Sequence, residues 1–74
     1  MNQDDLNTLT SRIGTRVKAL REEENISQLR LGVTVGLSAN QVGRIERGEG
    51  NPTIKTLYRI ATHYNVDITH FLIE

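Results

Sequence analysis

Two amides and a guanidinium stand close together at Asn40, Gln41 and Arg44, and these side chains can hydrogen-bond to nucleic-acid bases. Asn and Gln form paired hydrogen bonds with adenine in the DNA major groove, and Arg does the same with guanine. The small neighbours Ala39 and Gly43 would let another surface approach closely. In an isolated short segment, the same residues are typical of an ordinary solvated face. The choice between these two interpretations depends on the secondary-structure elements that carry the side chains.

Two short predicted helices with one turn between them carry these side chains. Ser27 is a good N-cap for a helix over 28–35, and Gly36 can adopt the positive φ that ends a helix in a sharp turn. Ser38 then caps a helix over 39–47. The apolar positions of this second helix face the first one, which leaves the amides and the guanidinium on the outer face. The segment therefore predicts a helix-turn-helix.

Three further helices complete an organisation that is predicted to be all-α and compact. Thr10 or Ser11 is expected to cap the first helix, Thr53 the fourth and Asp67 the fifth, each ahead of an apolar stripe at helical spacing. No strand pattern or internal repeat competes with this interpretation. A polar leader over residues 1–9, whose order the sequence leaves open, precedes a single domain over 10–74. The predicted helices span about 11–24, 28–35, 39–47, 54–64 and 68–73.

Length and composition exclude several classes of protein. A chain of 74 residues can bury one modest core, and the absence of cysteine excludes disulfides and thiolate metal sites. Such a domain depends on tight helix packing or on a partner subunit. No apolar run approaches the roughly 20 residues that span a bilayer, and the acidic start lacks the features of a signal peptide. We therefore expect a cytoplasmic protein with no membrane partner.

The charge balance is neutral, with nine basic and nine acidic residues. A strongly basic balance is more usual for DNA-binding proteins, so neutrality alone argues against such a partner. The basic residues nevertheless cluster, which predicts a dipolar molecule with one basic face and weak binding to random DNA. They are Arg12, Arg16, Lys18 and Arg21 in the first helix and Arg30, Arg44, Arg47, Lys55 and Arg59 in the middle of the chain.

Three blocks in register resemble the phage Cro and repressor family of helix-turn-helix regulators, also called the xenobiotic response element family. The blocks are IGTRVKALREEENISQ over 13–28, GLSANQVGRIERGEGNPTIKTL over 36–57 and RIATHYNVDITHFL over 59–72. The resemblance implies a five-helix, lambda-repressor-like DNA-binding domain. It also implies a sequence-specific transcriptional regulator, a repressor in the first instance, that binds double-stranded DNA. A homodimer would bind an inverted-repeat operator with the third helix in the major groove.

The resemblance also assigns roles to individual residues. Asn40 and Arg44 are the expected main base readers, although Arg44 could instead hold a phosphate, and Ser38 could act only as a helix cap. The phosphate contacts would position the domain without specifying sequence. The implied base-reading residues are Ala39, Asn40, Gln41, Gly43 and Arg44, and the implied phosphate-contacting residues are Gln28, Ser38, Arg47, Asn51 and Thr53.

Other residues are expected to hold the protein together. Arg21 and Glu46 match a partly buried salt bridge between helices in relatives. The dimer interface is expected at the C-terminal end, where the apolar side chains cannot all face one small core. The alternative is that the aromatic and the leucine there simply close the core of the monomer. The expected interface residues are Tyr64, Phe71, Leu72 and Ile73.

Two features depart from the family pattern. Gly32 stands where relatives usually have alanine, and Gly43 adds a second glycine in the next helix, each at a cost of about 1 kcal/mol. Both glycines would be explained by an unusually close approach of the helices, or by a recognition helix that becomes fully ordered only when it binds DNA. Leu29 and Val33 are apolar at outward positions. The competing hypothesis is therefore a protein-binding adaptor or antitoxin-like module with weak or no DNA binding, and a protein partner is expected in that case.

Nothing in the sequence supports catalysis, a cofactor or a metal site. His63 and His70 lie in different predicted helices, without cysteines or the spacing of metal ligands. The tyrosines and acids form no pairing of nucleophile and base. The sequence therefore predicts a protein that is not an enzyme.

Overall fold

Five α-helices follow one another along residues 2–74, which are the residues that the computed structural model describes. No strand occurs among these residues, and the all-α, five-helix prediction is confirmed. Met1, the first residue of the expected leader, lies outside the described residues. The helices are α1 (Gln3–Glu24), α2 (Gln28–Val35), α3 (Ala39–Glu46), α4 (Ile54–Tyr64) and α5 (Thr69–Leu72).

Side-chain caps begin the three central helices at the predicted residues. The hydroxyl oxygens of Ser27, Ser38 and Thr53 accept hydrogen bonds from the backbone N–H groups of Arg30, Gln41 and Thr56, at 3.0, 3.0 and 3.1 Å. Gly36 ends α2 with a φ of 79°, the left-handed conformation that glycine adopts without steric cost. The helix-turn-helix thus begins and turns where local sequence signals indicate.

The first helix begins at Gln3, which corrects both the predicted start at residue 11 and the separate leader. The side chain of Asn2 accepts a hydrogen bond from the backbone N–H of Asp5 at 2.9 Å, and the Asp5 carboxylate accepts one from the backbone N–H of Asn2. This reciprocal capping box stabilises the first turn. Thr10 is buried inside the helix and does not cap it. Leu9 packs against the core, so the segment is held by tertiary contacts as well.

The ends of α3 and α5 also differ from the prediction. Arg47 is the C-cap of α3, so the helix stops at Glu46. The fifth helix occupies only four residues and begins after Ile68, which makes no side-chain cap. Asp67 still stabilises its first turn, because its Oδ1 accepts hydrogen bonds from the Thr69 backbone N–H at 2.9 Å and the Thr69 hydroxyl at 2.7 Å.

Every helix contributes to one hydrophobic core. Val42 and Ile45 bury one face of α3, which leaves the opposite face to solvent. Phe71 is completely buried, which corrects its assignment to a dimer interface, and Leu72 packs partly buried against the same core. The alternative in which these two residues close the monomer core is the one observed. The buried apolar residues are Ile13, Val17, Leu31, Val35, Val42, Ile45, Leu57, Ile60, Ala61 and Phe71.

Two glycines let backbones approach more closely than a side chain would permit. A Cβ atom on Gly14 of α1 would lie 2.3 Å from the carbonyl oxygen of Ile45 in α3. A Cβ atom on Gly32 of α2 would lie 2.4 Å from the carbonyl oxygen of Leu37 in the turn. The expected close approach at Gly32 is therefore observed. These contacts fix the position of α3 against α1 and α2.

Three arginines of α1 are used inside the domain instead of forming part of a basic face. Arg12 donates a hydrogen bond to the carbonyl oxygen of Leu72 at 2.9 Å, and Arg16 donates to those of His70, at 2.8 Å, and Ile73. These carbonyls at the end of α5 lack helical partners, so the arginines act as a C-terminal cap. Arg21 pairs with an acid of α3. The cations left for a basic face lie mainly on α2, α3 and α4.

Candidate nucleic-acid interface

The outer face of α3 carries three of the predicted base-reading side chains. Asn40, Gln41 and Arg44 are exposed, and Ala39 at the first position of the helix is half-buried. The burial of Val42 on the opposite face holds the helix in this orientation. The helix therefore presents an amide and a guanidinium to solvent one helical turn apart.

Gln41 is not free to read a base with both ends of its amide. Its Oε1 atom accepts a hydrogen bond from the backbone N–H of Ser38 at 2.7 Å, as the second half of the capping box that begins α3. The NH₂ group stays open to another partner, while the oxygen, which keeps a second lone pair, is directed at the start of α3. Paired recognition of adenine needs the donor and the acceptor together, so the amide would have to reorient to make that contact.

Gly43 lies beneath neighbouring side chains and does not belong to the exposed face. The residue is buried, and a Cβ atom there would lie 3.0 Å from Nη1 of Arg47 and 3.3 Å from Oε1 of Gln28. This corrects its assignment to the base-reading residues. The absence of a side chain instead lets the Gln28 and Arg47 side chains lie against the helix.

A buried ion pair joins α1, α2 and α3 directly behind this face. Nε of Arg21 lies 2.6 Å from Oε2 of Glu46, and Nη2 of Arg21 lies 3.1 Å from Oε1. The side chains are 13% and 2% exposed, and the hydrogen bond with Glu46 raises the pKa of Arg21. Gln28 donates to Oε1 of Glu46 at 3.1 Å. The predicted pair therefore exists as a bidentate contact, and it also holds the side chain at the start of α2.

The residues expected to contact phosphates surround α3, but they differ in whether their side chains are exposed or already hydrogen-bonded within the protein. The side chain of Gln28 is engaged with Glu46, while Ser38, Asn51 and Thr53 are exposed at the starts of α3 and α4 or just before them. Helix N-termini offer unpaired N–H groups to anions. One groove between α3 and α4 brings several of these residues together: it is lined by Gln41, Arg44, Asn51 and Thr53 among others.

An acid that the sequence analysis did not select also belongs to this surface. Oε2 of Glu49 lies 2.7 Å from Nε of Arg47, and Glu49 lines the same groove as Arg44. The signal was present in the sequence, because the two residues are separated only by Gly48, a turn former. Arg47 is thus brought to the expected surface with a carboxylate already bound to it.

The predicted dimer residues are not brought together as one exposed cluster. Phe71 is buried, Tyr64 and Leu72 are half-buried, and only Ile73 is exposed, at 60%. The other exposed large apolar side chains lie on α2 and α4: they are Leu29, Val33, Ile54 and Tyr58.

The histidines are also separated in the structure. His63 lies 3.1 Å from Oε1 of Glu24, and this contact links the ends of α1 and α4. Among residues 2–74, no group of three or more His, Cys, Asp or Glu side chains is arranged to hold a metal ion. Within the same residues, no helix combines the length and apolar character needed to cross a membrane.

Comparison with known proteins places residues 17–71 in the helix-turn-helix family. The chain is 40% identical over 60 residues to the transcriptional regulator SutR of Escherichia coli and 32% identical over 57 residues to the immunity repressor protein of Bacillus phage phi105. These matches cover 81% and 77% of this chain but only 34% and 40% of the relatives, so the chain spans about a third or two fifths of their length.

Solved structures show the same fold. The restriction-modification controller protein C.AhdI of Aeromonas hydrophila superposes with a TM-score of 0.78 at 27% identity, covering 85% of this chain and 96% of that one. A transcriptional regulator of the same family from Vibrio cholerae gives a TM-score of 0.80 at 33% identity, covering 89% of this chain and 37% of that one. Together with the exposed face of α3, these likenesses show that the chain belongs to the Cro/repressor-type helix-turn-helix family of DNA-binding transcriptional regulators, which are not enzymes.

Proposed function

We propose that this protein is a sequence-specific repressor that binds an inverted-repeat operator as a homodimer, with α3 in the major groove. The observation that carries the proposal is that Asn40 and Arg44 project from α3 beside the exposed starts of α3 and α4. Side chains that read base edges are thereby flanked by backbone N–H groups that suit phosphates. Such a regulator acts on DNA in the cytoplasm.

Within this proposal Asn40 and Arg44 read bases, and Ala39 lets the groove floor come close. Gln41 contributes its NH₂ group, because its oxygen is directed at the backbone N–H of Ser38. The phosphate contacts come from the starts of α2, α3 and α4, and Arg47 can add one where it leaves its ion pair with Glu49. They are made by Gln28 through its backbone N–H, and by Ser38, Asn51 and Thr53.

Fluorescence anisotropy with the DNA upstream of the gene and with a scrambled duplex, over a salt series, tests this function. Arg44→Ala should weaken binding to the operator by about 1–3 kcal/mol, the value of one good base contact, and should leave scrambled DNA much less affected. Arg59→Ala is the matched control, because Arg59 is also an exposed arginine but lines a different groove, with Val33 and Gly36. Equal losses in both variants would contradict base reading by Arg44.

The homodimer follows from the size of the site. One domain reads only a few base pairs, and a two-fold dimer reads half-sites about 34 Å apart. Ile73 is the predicted interface residue that stays exposed, and Ile54 and Tyr58 form a second exposed apolar pair one turn apart on α4. Analytical ultracentrifugation of Ile73→Asp and Tyr58→Asp should show which substitution shifts the protein toward monomer. A wild-type protein that stays monomeric on its operator would contradict the dimer.

A protein-binding adaptor remains the second candidate, because Leu29 and Val33 on α2 are 62% and 71% exposed. Four residues apart on one helix, they form a contiguous apolar strip that needs no role in DNA binding. In an adaptor, Leu29→Ser together with Val33→Ser would abolish capture of a protein partner while Arg44→Ala would have no effect on function. The reverse pattern would support the repressor.

A further inference from the structure

The pairing of Arg47 with Glu49 places a negative charge on the surface that is proposed to face DNA. Nε of Arg47 and Oε2 of Glu49 lie 2.7 Å apart, and the two side chains are 55% and 51% exposed. A phosphate approaching this end of α3 therefore meets a guanidinium whose Nε–H already donates to a carboxylate. Exposed ion pairs of this kind are weak enough to exchange partners.

The backbone holds this carboxylate in place. Gly48 adopts a φ of 74°, and the backbone N–H of Glu49 donates to the carbonyl oxygen of Arg44 at 2.9 Å. The N–H of Gly48 donates to the carbonyl oxygen of Ile45 at 3.0 Å. Glu49 is therefore fixed at the end of α3 by the turn itself and is not carried on a free loop.

The surrounding charges keep the pair ionised. The hydrogen bond from Arg47 lowers the pKa of the Glu49 carboxyl, and the positive charges of Arg47 and Arg44 lower it further. The same contact raises the pKa of Arg47. Nη1 of Arg47 lies beside Gly43, where a Cβ atom would be 3.0 Å away, so one side of the guanidinium rests against α3.

We propose that Glu49 competes with DNA phosphates for Arg47 and so weakens binding to any DNA backbone, which leaves the choice of site to the base contacts of α3. This inference rests on the proposed DNA-binding function and extends it to the control of affinity. Non-specific binding is most affected, because it depends almost entirely on phosphate contacts. The Glu49 carboxylate thus increases the preference for specific sites over random DNA, a preference that the neutral net charge of the protein already favours.

The test compares Glu49→Gln with wild type on a random-sequence duplex at about 50 and 200 mM salt. The glutamine should release Arg47 to a phosphate and tighten binding roughly two- to fivefold at the lower salt, the range expected for an exposed ion pair. One additional phosphate contact makes the slope of log K against log salt concentration more negative by about 0.9, so most of this gain in affinity should vanish at the higher salt. In an Arg47→Gln background, the Glu49→Gln substitution should produce no gain.

Glu74→Gln is the matched control, because it removes the same charge from an ion pair, with Arg12, away from α3. A gain no larger than that of Glu74→Gln would overturn the proposal. An equal gain with and without Arg47 would overturn it too, since Glu49 would then only repel DNA generally. Elution from a heparin column separates a failure of this inference from a failure of the proposed DNA-binding function, because heparin is a polyanion that has no base sequence. If the protein binds no duplex, the proposed function fails. Glu49→Gln must even then elute from heparin at higher salt than wild type and Glu74→Gln, and equal elution would overturn the inference.

Discussion

Replacing Glu46 by alanine should remove much of the stability of this protein, because its carboxylate is buried and accepts three hydrogen bonds. Two come from Arg21, at 2.6 and 3.1 Å, and one comes from Gln28, at 3.1 Å. Glu46→Ala leaves a guanidinium that is only 13% exposed without its counter-charge. Removing one partner of a buried pair costs about 3–5 kcal/mol. A domain of this size has about 4–11 kcal/mol in total, so a large fraction of that would be lost.

Urea denaturation followed by far-UV circular dichroism measures this loss. Glu74→Ala is the control, since its pair with Arg12 is exposed at the carboxylate and should contribute very little. A double variant, Arg21→Met with Glu46→Leu, should recover most of the loss, because it removes the unpaired charge and fills the space with apolar atoms. A loss below about 1 kcal/mol for Glu46→Ala, or no recovery in the double variant, would refute the reasoning about the buried pair.

Three further predictions concern packing, an unpaired hydroxyl and acid stability. Gly14→Ala should lower the free energy of unfolding by about 1–3 kcal/mol in urea denaturation, because the new Cβ would lie 2.3 Å from the Ile45 carbonyl oxygen, and unchanged stability would contradict this close approach. Tyr64→Phe should raise the free energy of unfolding by about 1 kcal/mol, and with it the melting temperature, because the buried hydroxyl has no hydrogen-bond partner among the described residues and burial raises its pKa. A lower melting temperature would instead indicate a hydrogen bond from the hydroxyl to Glu24. The hydrogen bond with His63 lowers the pKa of Glu24 from its ordinary value, so the stabilising effect of this contact should be present above the ordinary pKa of a glutamate and be lost as the pH falls through the folded pKa. Glu24→Gln should therefore flatten the acid limb of the curve of melting temperature against pH, and an unaltered curve would argue against the contact.

Local signals in the sequence were sufficient to predict the central helices. Ser27, Ser38 and Thr53 cap α2, α3 and α4, and Gly36 ends α2, because a cap or a left-handed turn involves only residues within a few positions of one another. A signal of the same kind is present at the start of α1. Asn2 and Asp5 form a capping box there, although the polar composition of the segment favours a leader.

The exposed face of α3 follows from periodicity, but the availability of each side chain does not. Asn40 and Arg44 lie where the apolar stripe predicts. Gln41 is held by Ser38, and Gly43 is covered by side chains from α2 and from the end of α3. A helical pattern indicates which way a residue points, and it carries no information about the partners that reach it from other elements.

Caps, spacing and motifs that are local in the chain are sufficient to predict the helical class, the helix-turn-helix and the family. The capping of α5 by Arg12 and Arg16, and the place of Phe71 in the core instead of a dimer interface, become visible only once the helices pack together. Those outcomes join residues more than fifty positions apart. Long-range contacts of this kind are settled by the packing of whole helices, in which burial and the pairing of charges are satisfied together.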